Sequence, residues 1–388
     1  MDFITRHQLL NRSFNPNNIV TPVAGLQASI INCRFESRFP GFEPVTVQKE
    51  SHFDYDLAET WLEQNNSFSY PVIVPGENTP ANRVILLLHG LNERSWEKYL
   101  VWADFMAEQT GHAVILFPIA FHMNRSPEEW NNARAMSQVA AKRKQASPEL
   151  KDATYVNAAL STRIENRPEQ FLLSGMQSYL DVIQLVKSID EGKHPLFRKG
   201  TRVDIFSYSI GAFLSQLLVM DNSNQLFSDT KLCLFCGGAT FDRLNGASRF
   251  IMDSRAFQRL RTLADFNNFA RLKRCFKTRV FRELKNSWET LRFMTFLNEG
   301  QAAREKVLRQ IGERIYAIGL ANDTVVPPAA ILQTLKGTNG YLPPKVDVFD
   351  FPYPYTHEIP FPVNNQHFLS QVDAGFRQVF SRVADFLR

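Results

Sequence analysis

Cysteine is scarce, with four in 388 residues. So few in a chain of this length make no disulfide framework and fit a reducing compartment. Long apolar runs are missing too. The longest, Val84–Leu88 and Ala113–Phe121, fall well short of the ~20 residues that cross a bilayer, so no membrane span is expected. The opening Met1-Asp2-Phe3-Ile4-Thr5-Arg6-His7 has no charged segment leading into an apolar one, and a cytoplasmic location is expected. No period of about 20–50 residues recurs, which excludes solenoids and arrays. No Gly-x-Gly-x-x-Gly follows a strand, and there is neither a phosphate loop nor a second cysteine pair for zinc. Hence no cofactor and no metal are expected. Charge is sparse and nearly balanced, 44 Lys and Arg against 39 Asp and Glu, a net of +5.

Apolar residues, by contrast, make up 44% of the chain and include 32 Phe. That is ample for a large buried core and excludes disorder of the whole. Short β-branched and aliphatic runs recur at Pro44–Gln48, Tyr70–Pro75, Arg83–Leu88, Ala113–Ile119, Arg202–Phe206, Lys231–Cys236, Arg314–Leu320 and Lys345–Phe351. Runs of this length, bounded by Gly, Pro or Asn, predict strands buried on both faces. Between them, Leu172, Met176, Tyr179, Ile183 and Val186 step by 4, 3, 4 and 3, which keeps one helical face apolar. Phe368, Val372, Phe376, Val379, Val383 and Phe386 do the same at the C-terminus. The alternation predicts an α/β fold, a mostly parallel central sheet flanked by helices. The early strands leave little room for a crossover helix, so that edge is expected to be antiparallel.

Two stretches break the alternation. Residues 122–170 and 240–310 are polar, helix-prone and rich in Arg, Asn and Gln. Such insertions ride above strand C-termini, where α/β proteins place their sites, and the two are expected to form a helical cap. The domain reading is therefore an N-terminal segment, 1–69, supplying the first strands, and a core, 70–388, carrying both insertions. Residues 249–285 hold 11 Lys or Arg against 3 Asp or Glu. Clustered arginine suits a phosphate backbone, but no nucleic-acid-binding motif accompanies it. The stretch reads as a solvated helical face, and no nucleic-acid partner is expected.

The informative segment is Val203-Asp204-Ile205-Phe206-Ser207-Tyr208-Ser209-Ile210-Gly211-Ala212. An apolar strand runs into Ser-x-Ser-x-Gly and then directly into the helical run Phe213–Met220. So tight a turn demands small residues two before and two after the central serine. It lifts the Ser209 hydroxyl clear of the sheet, at a helix N-terminus whose dipole favours negative charge. Upstream, Val84–Leu88 ends in His89-Gly90-Leu91-Asn92. A glycine there lets the chain turn so that the amide of Leu91 or Gly90, with that of Ile210, can hold a developing oxyanion. His89 itself, placed before the turn, is expected to be structural.

Downstream, Asp323 lies just past the strand Ile315–Leu320, with Pro327 or Pro328 suited to open the next helix. It is either a turn residue or the carboxylate that a serine–histidine pair needs as orienter. His357 follows the last strand in a proline-rich loop, Pro352–Pro360. Its competitor, His367, sits near the start of the C-terminal helix, where the dipole disfavours the imidazolium that a serine-activating base must become. His357 is preferred. Cys233-Leu234-Phe235-Cys236 has redox spacing but lies in an apolar strand, and it reads as core.

The order Ser209, Asp323, His357, each just past a strand, with His-Gly after an earlier one, resembles the α/β-hydrolase superfamily. The resemblance covers roughly residues 70–388 without the insertions. The phrases His89-Gly90-Leu91-Asn92-Glu93-Arg94 and Phe117-Pro118-Ile119-Ala120-Phe121-His122-Met123-Asn124-Arg125 are similar to a bacterial branch of it known as a domain of unknown function. The resemblance implies Ser209 as nucleophile, Asp323 as orienting acid and His357 as base. Ser207 departs from it, standing where the superfamily usually has glycine. Glu93, Arg94, His122 and Arg125, near the strand ends, either line a pocket or form a salt-bridged cluster that holds the loops. The expected activity is that of a serine hydrolase acting on a small-molecule acyl substrate, with ester hydrolysis favoured by analogy alone. The alternative is a non-catalytic scaffold of the same fold that binds a ligand or partner through its cap.

Overall fold

The computed structural model describes residues 1–39, 63–76, 82–263, 287–364 and 366–388. Nine strands form one sheet: β1 (Val20–Pro22), β2 (Ala28–Glu36), β3 (Ser67–Pro75), β4 (Arg83–Leu88), β5 (Ala113–Phe117), β6 (Arg202–Tyr208), β7 (Leu232–Phe235), β8 (Ile315–Leu320) and β9 (Lys345–Phe349), in the order β1-β2-β3-β5-β4-β6-β7-β8-β9. From β5 to β9 all neighbours run parallel, while β1, β2 and β3 run antiparallel to their neighbours. The expected antiparallel edge is present, but its outer strands come from residues 20–36. The strand expected at 44–48 lies outside the described residues.

Helices cover both faces. They are α1 (Phe3–Ser13), α2 (Glu63–Asn66), α3 (Glu97–Thr110), α4 (Ala133–Ala146), α5 (Ala158–Asn166), α6 (Glu169–Asp190), α7 (Ile210–Asp221), α8 (Ser254–Leu263), α9 (Ser287–Thr295), α10 (Gln301–Ile311), α11 (Pro328–Leu335) and α12 (Leu369–Leu387). Successive strand residues point to opposite sides. Val84, Leu86 and Leu88 pack with α6, α7 and α11, whereas Ile85 and Leu87 pack with α1, α3 and α12. The second layer is rich in rings: Trp102, Phe206, Phe235, Phe361, Phe376 and Phe380 meet in edge-on, tilted and stacked pairs. Each such ring buries a large apolar surface, and this is where much of the phenylalanine goes. The architecture is that of an α/β-hydrolase.

The chain enters the sheet's parallel part at β4, winds outward to β5, then returns to the other side of β4 as β6. At such a reversal the connections leave in opposite directions and a crevice opens outside the strand C-termini. His89–Leu91 and Ser209 sit there.

The two insertions meet each other. Arg143 of α4, buried, bonds Asp253 at 2.6 Å and Glu165 of α5 at 2.8 Å. Asn157 donates to the Ser248 carbonyl at 2.9 Å and Thr154 to that of Arg249 at 2.6 Å. Of the basic stretch, residues 264–285 lie outside the described residues. Within the described part, Arg255 pairs with Glu165 at 2.7 Å. Among the described residues no helix is long and apolar enough to cross a membrane.

Candidate active site

Ser209 ends β6 with φ 58° and ψ −121°, a strained conformation for a residue with a side chain. It persists because the surroundings leave no alternative. A Cβ on Gly211 would lie 2.5 Å from the Leu88 carbonyl oxygen, so only glycine lets α7 start this close to β4. Ser207, where glycine was the superfamily pattern, is fully buried, and its hydroxyl is placed 2.7 Å from that of Ser215 and 3.3 Å from the Cys233 carbonyl. The extra oxygen is satisfied, so the turn tolerates it.

The Ser209 hydroxyl lies 2.7 Å from Nε2 of His357, and Nδ1 of His357 lies 2.7 Å from Oδ2 of Asp323. The carboxylate accepts only, so Nδ1–H donates to it and Nε2 turns a lone pair to the serine. The other oxygen of Asp323 accepts from the amides of Val325 at 2.9 Å and Val326 at 2.8 Å. Those amides belong to the turn leading into α11, which Pro328 opens at its first position. The His357 ring stacks on Tyr208 at 5.3 Å with planes 17° apart, and the Tyr208 hydroxyl donates to the His357 carbonyl. Thus the residue beside the serine clamps the histidine loop. His367 is exposed in the turn before α12 and is not bonded to Ser209.

Leu91 and Ile210 border the same cavity. Gly90 donates its N–H to the Tyr99 hydroxyl at 3.0 Å, which removes it as an oxyanion donor. The N–H groups of Leu91 and Ile210 have no hydrogen-bond partner among the described residues. For Ile210 this follows from its place at the start of a helix, where the first donors lack carbonyls to meet.

The four other candidates divide. His122 lines a small, partly open cavity of about 120 Å³ bounded by Leu91, Ile210, Phe213, Leu160 and Leu291. Its Nδ1–H donates to the Ala120 carbonyl at 2.9 Å and its Nε2 accepts from the Asn92 amide at 2.9 Å. Burial depresses its pKa to about 4. Glu93 pairs with Lys98, whose ammonium also donates to the Glu358 carbonyl at 3.0 Å. Glu93 lines a wider groove on the other side of Leu91. Arg125 and Arg94 follow the other branch of the expectation, holding loops; neither is on the wall of the cavity or the groove. Arg125 is fully buried and spans Asp181 at 2.7 Å, the Pro118 carbonyl at 2.9 Å and that of Asn65 at 3.0 Å, tying loops to α6. Arg94 donates to the Val156 carbonyl at 2.9 Å. His89 bonds the Gly90 carbonyl at 2.8 Å and accepts from the Ile119 amide at 3.0 Å. Burial, then the neighbouring His122, hold its pKa well below the ordinary value.

Cys236 lies one residue past β7, buried, at φ 47°. Its sulfur and the nearest ligand atoms of Asp323 and His357 all lie within 4.8 Å of one another. Among the described residues this is the one group compact enough to ligate a metal ion. Its carboxylate and imidazole, however, are already bonded to each other. Burial first, and the Asp323 charge second, push the thiol pKa well above its usual value, so the sulfur stays protonated. The sequence places both cysteines within the strand as core; the strand ends at Phe235, so Cys236 falls just past it beside the site, whereas Cys233 is a plain core residue.

The chain is similar to solved esterase structures. With the hyperthermophilic esterase from the archaeon Pyrobaculum calidifontis it shares 10% identity over 99% of this chain and 88% of that one, at a TM-score of 0.46. With esterase Est22 it shares 12% identity over 98% and 85%, at 0.49. With carboxyl esterase 2 of the mycorrhizal fungus Tuber melanosporum it shares 12% over 83% of each, at 0.42. No curated protein matches its sequence. One family matches over residues 1–388, and the chain belongs to it: the family of unknown function DUF6051.

Proposed function

We propose that this protein is a serine hydrolase that cleaves a carboxylic ester, or a related acyl substrate, through an acyl-enzyme. The observation that carries this reading is the unbroken relay from the Ser209 hydroxyl through His357 to Asp323, with 2.7 Å at each link. It is set at the sheet's point of reversal beside two amides without partners. In acylation, Ser209 Oγ bonds the carbonyl carbon while its proton passes to Nε2 of His357. The carbonyl oxygen becomes an oxyanion, which the Leu91 and Ile210 amides receive. The bond to the leaving oxygen then breaks, and that oxygen takes the proton from His357. Water repeats the sequence on the acyl-serine and frees the acid. Asp323 stays ionised throughout and steadies the imidazolium. The insertions at 122–170 and 240–310 are the cap in this reading, since residues of both wall the cavity beside Ile210.

The test is covalent labelling. A fluorophosphonate is expected to modify the protein at Ser209, and Ser209→Ala is expected to abolish labelling with an unchanged circular dichroism spectrum. Labelling at another serine, or none, sinks the hydrolase reading and leaves the non-catalytic scaffold.

A further inference from the structure

Two spaces of different character open on either side of Leu91. One is a small, partly open cavity of about 120 Å³ beside Ile210 and Phe213. The other is an open groove of about 830 Å³. The groove's walls include Asn92, Glu97, Lys98 and Glu358, so it is charged.

We infer that the cavity takes a compact apolar acyl group, about four to six carbons or one ring, and that the groove takes a polar alcohol. This rests on the hydrolase reading above and names its substrate class. Direction follows from the proton. His357 must deliver it to the leaving oxygen, so the alcohol lies on the His357 side. There Glu358 and Ile359, the next residues in that loop, wall the groove. The cavity takes no residue from the His357 loop and is bounded by the helix behind Ser209, which makes it the acyl side.

The cavity wall is mostly carbon and its polar groups are bonded within the protein, Arg163 included, which donates to the Ser174 hydroxyl at 3.0 Å and to Gln170 at 3.3 Å. Ser178 donates to the Ser174 carbonyl at 2.7 Å and accepts from the Ala120 amide at 2.9 Å. Ser174 donates to the Gln170 carbonyl at 2.7 Å. Both nitrogens of His122 are engaged, and the Ser287 hydroxyl bonds Asp221 at 3.0 Å. A ligand group there meets carbon, and a polar acyl chain would lose its water without replacement. Size sets the upper bound. A dry apolar cavity of about 150 Å³ accepts one benzene ring, so this one holds no long fatty chain.

Gly175 supplies the decisive variant. It lies within α6 on the cavity wall, and a Cβ added there meets no atom within 4 Å. Leucine at this position projects into free space and favours the helix. The experiment compares kcat/KM on p-nitrophenyl esters from acetate to dodecanoate for the wild type and Gly175→Leu. The wild type is expected to peak at butanoate to hexanoate, with dodecanoate at least about tenfold lower. Gly175→Leu is expected to lower hexanoate at least about tenfold and acetate less than about threefold. Should the leucine variant fail to fold, Gly175→Ala is expected to shift the peak toward acetate. Butanoyl glucose is expected to be a better substrate than hexyl butanoate. A flat chain-length profile, or an equal loss on every ester, overturns the assignment while Ser209 labelling keeps the hydrolase reading. A preference for hexyl butanoate overturns the groove half of it. No labelling and no turnover of any ester overturns both.

Discussion

His357 and His122 are both buried, both sit in loops that leave strand C-termini, and both are held through Nδ1. They differ in what they meet. Nδ1 of His357 faces a carboxylate, and its Nε2 faces a hydroxyl whose proton can leave. Nδ1 of His122 faces a carbonyl, and its Nε2 is filled by an amide N–H whose proton cannot. An imidazolium at His357 would gain an anion. One at His122 would lose its Asn92 bond and gain no counter-charge. Burial alone therefore does not mark a base; the partners at both nitrogens do.

The largest expected effect breaks the first of these sites. His357→Ala should lower kcat/KM on the order of 10³-fold or more, and Asp323→Asn should cost a comparable amount, because the three residues act as a unit. His122→Gln should leave turnover within about tenfold, since glutamine can still accept from the Asn92 amide. Wild-type kcat/KM should rise from acid pH toward neutrality, because the serine proton needs an unprotonated base to receive it. Equal losses in His357→Ala and His122→Gln, with both proteins folded, would erase the distinction.

Next in size is a stability effect that isolates His122. Its pKa is held at about 4, below the ordinary value of 6.5, by burial. A group whose folded pKa is depressed contributes stability that is present above its unfolded pKa and lost as pH falls through the folded one. The window is therefore pH 6.5 down to about 4. His122→Gln should cost stability at pH 7, but that cost should shrink by about 2–3 kcal/mol on going to about pH 4.5, because the variant has no imidazole to charge on unfolding. Urea titrations of both proteins at the two pH values measure this. A difference independent of pH would show that His122 binds its proton as readily in the folded state as in the unfolded one.

The same contrast explains what could be read from residues alone. The central strands were legible because each is buried on both faces and so spells out a continuous apolar run. Strand β2 was not. It reads Ala28-Ser29-Ile30-Ile31-Asn32-Cys33-Arg34-Phe35-Glu36 and is only partly buried near the sheet edge, so no apolar run announces it. Ser209, Asp323 and His357 were legible because the resemblance to the α/β-hydrolases puts a serine, an acid and a histidine past strand ends in that order, and the three do meet in space. Arg125 was ambiguous because a buried arginine and a pocket arginine look alike until their acceptors are known. The cavity was least legible. Leu172 and Met176 stand on the apolar stripe of α6, which reads as core, yet they line open space. A stripe records which face turns inward, not whether atoms fill the volume in front of it.

The smallest expected effect concerns the histidine that the sequence left in competition. His367 is exposed, in the short turn Gln366–Phe368 that precedes α12, and its ring is on the groove wall. A substitution at such a position alters stability by no more than about 0.5 kcal/mol. His367→Ala should therefore leave the thermal midpoint nearly unchanged and kcat on small activated esters within about threefold. The slope of kcat/KM against pH should be that of the wild type, because the base it reports is His357. A bulky polar alcohol passing along the groove would feel the change in KM first. If instead kcat on p-nitrophenyl acetate fell as far as in His357→Ala, then the working base would be the groove histidine, and the 2.7 Å contact between His357 and Ser209 would belong to a resting arrangement.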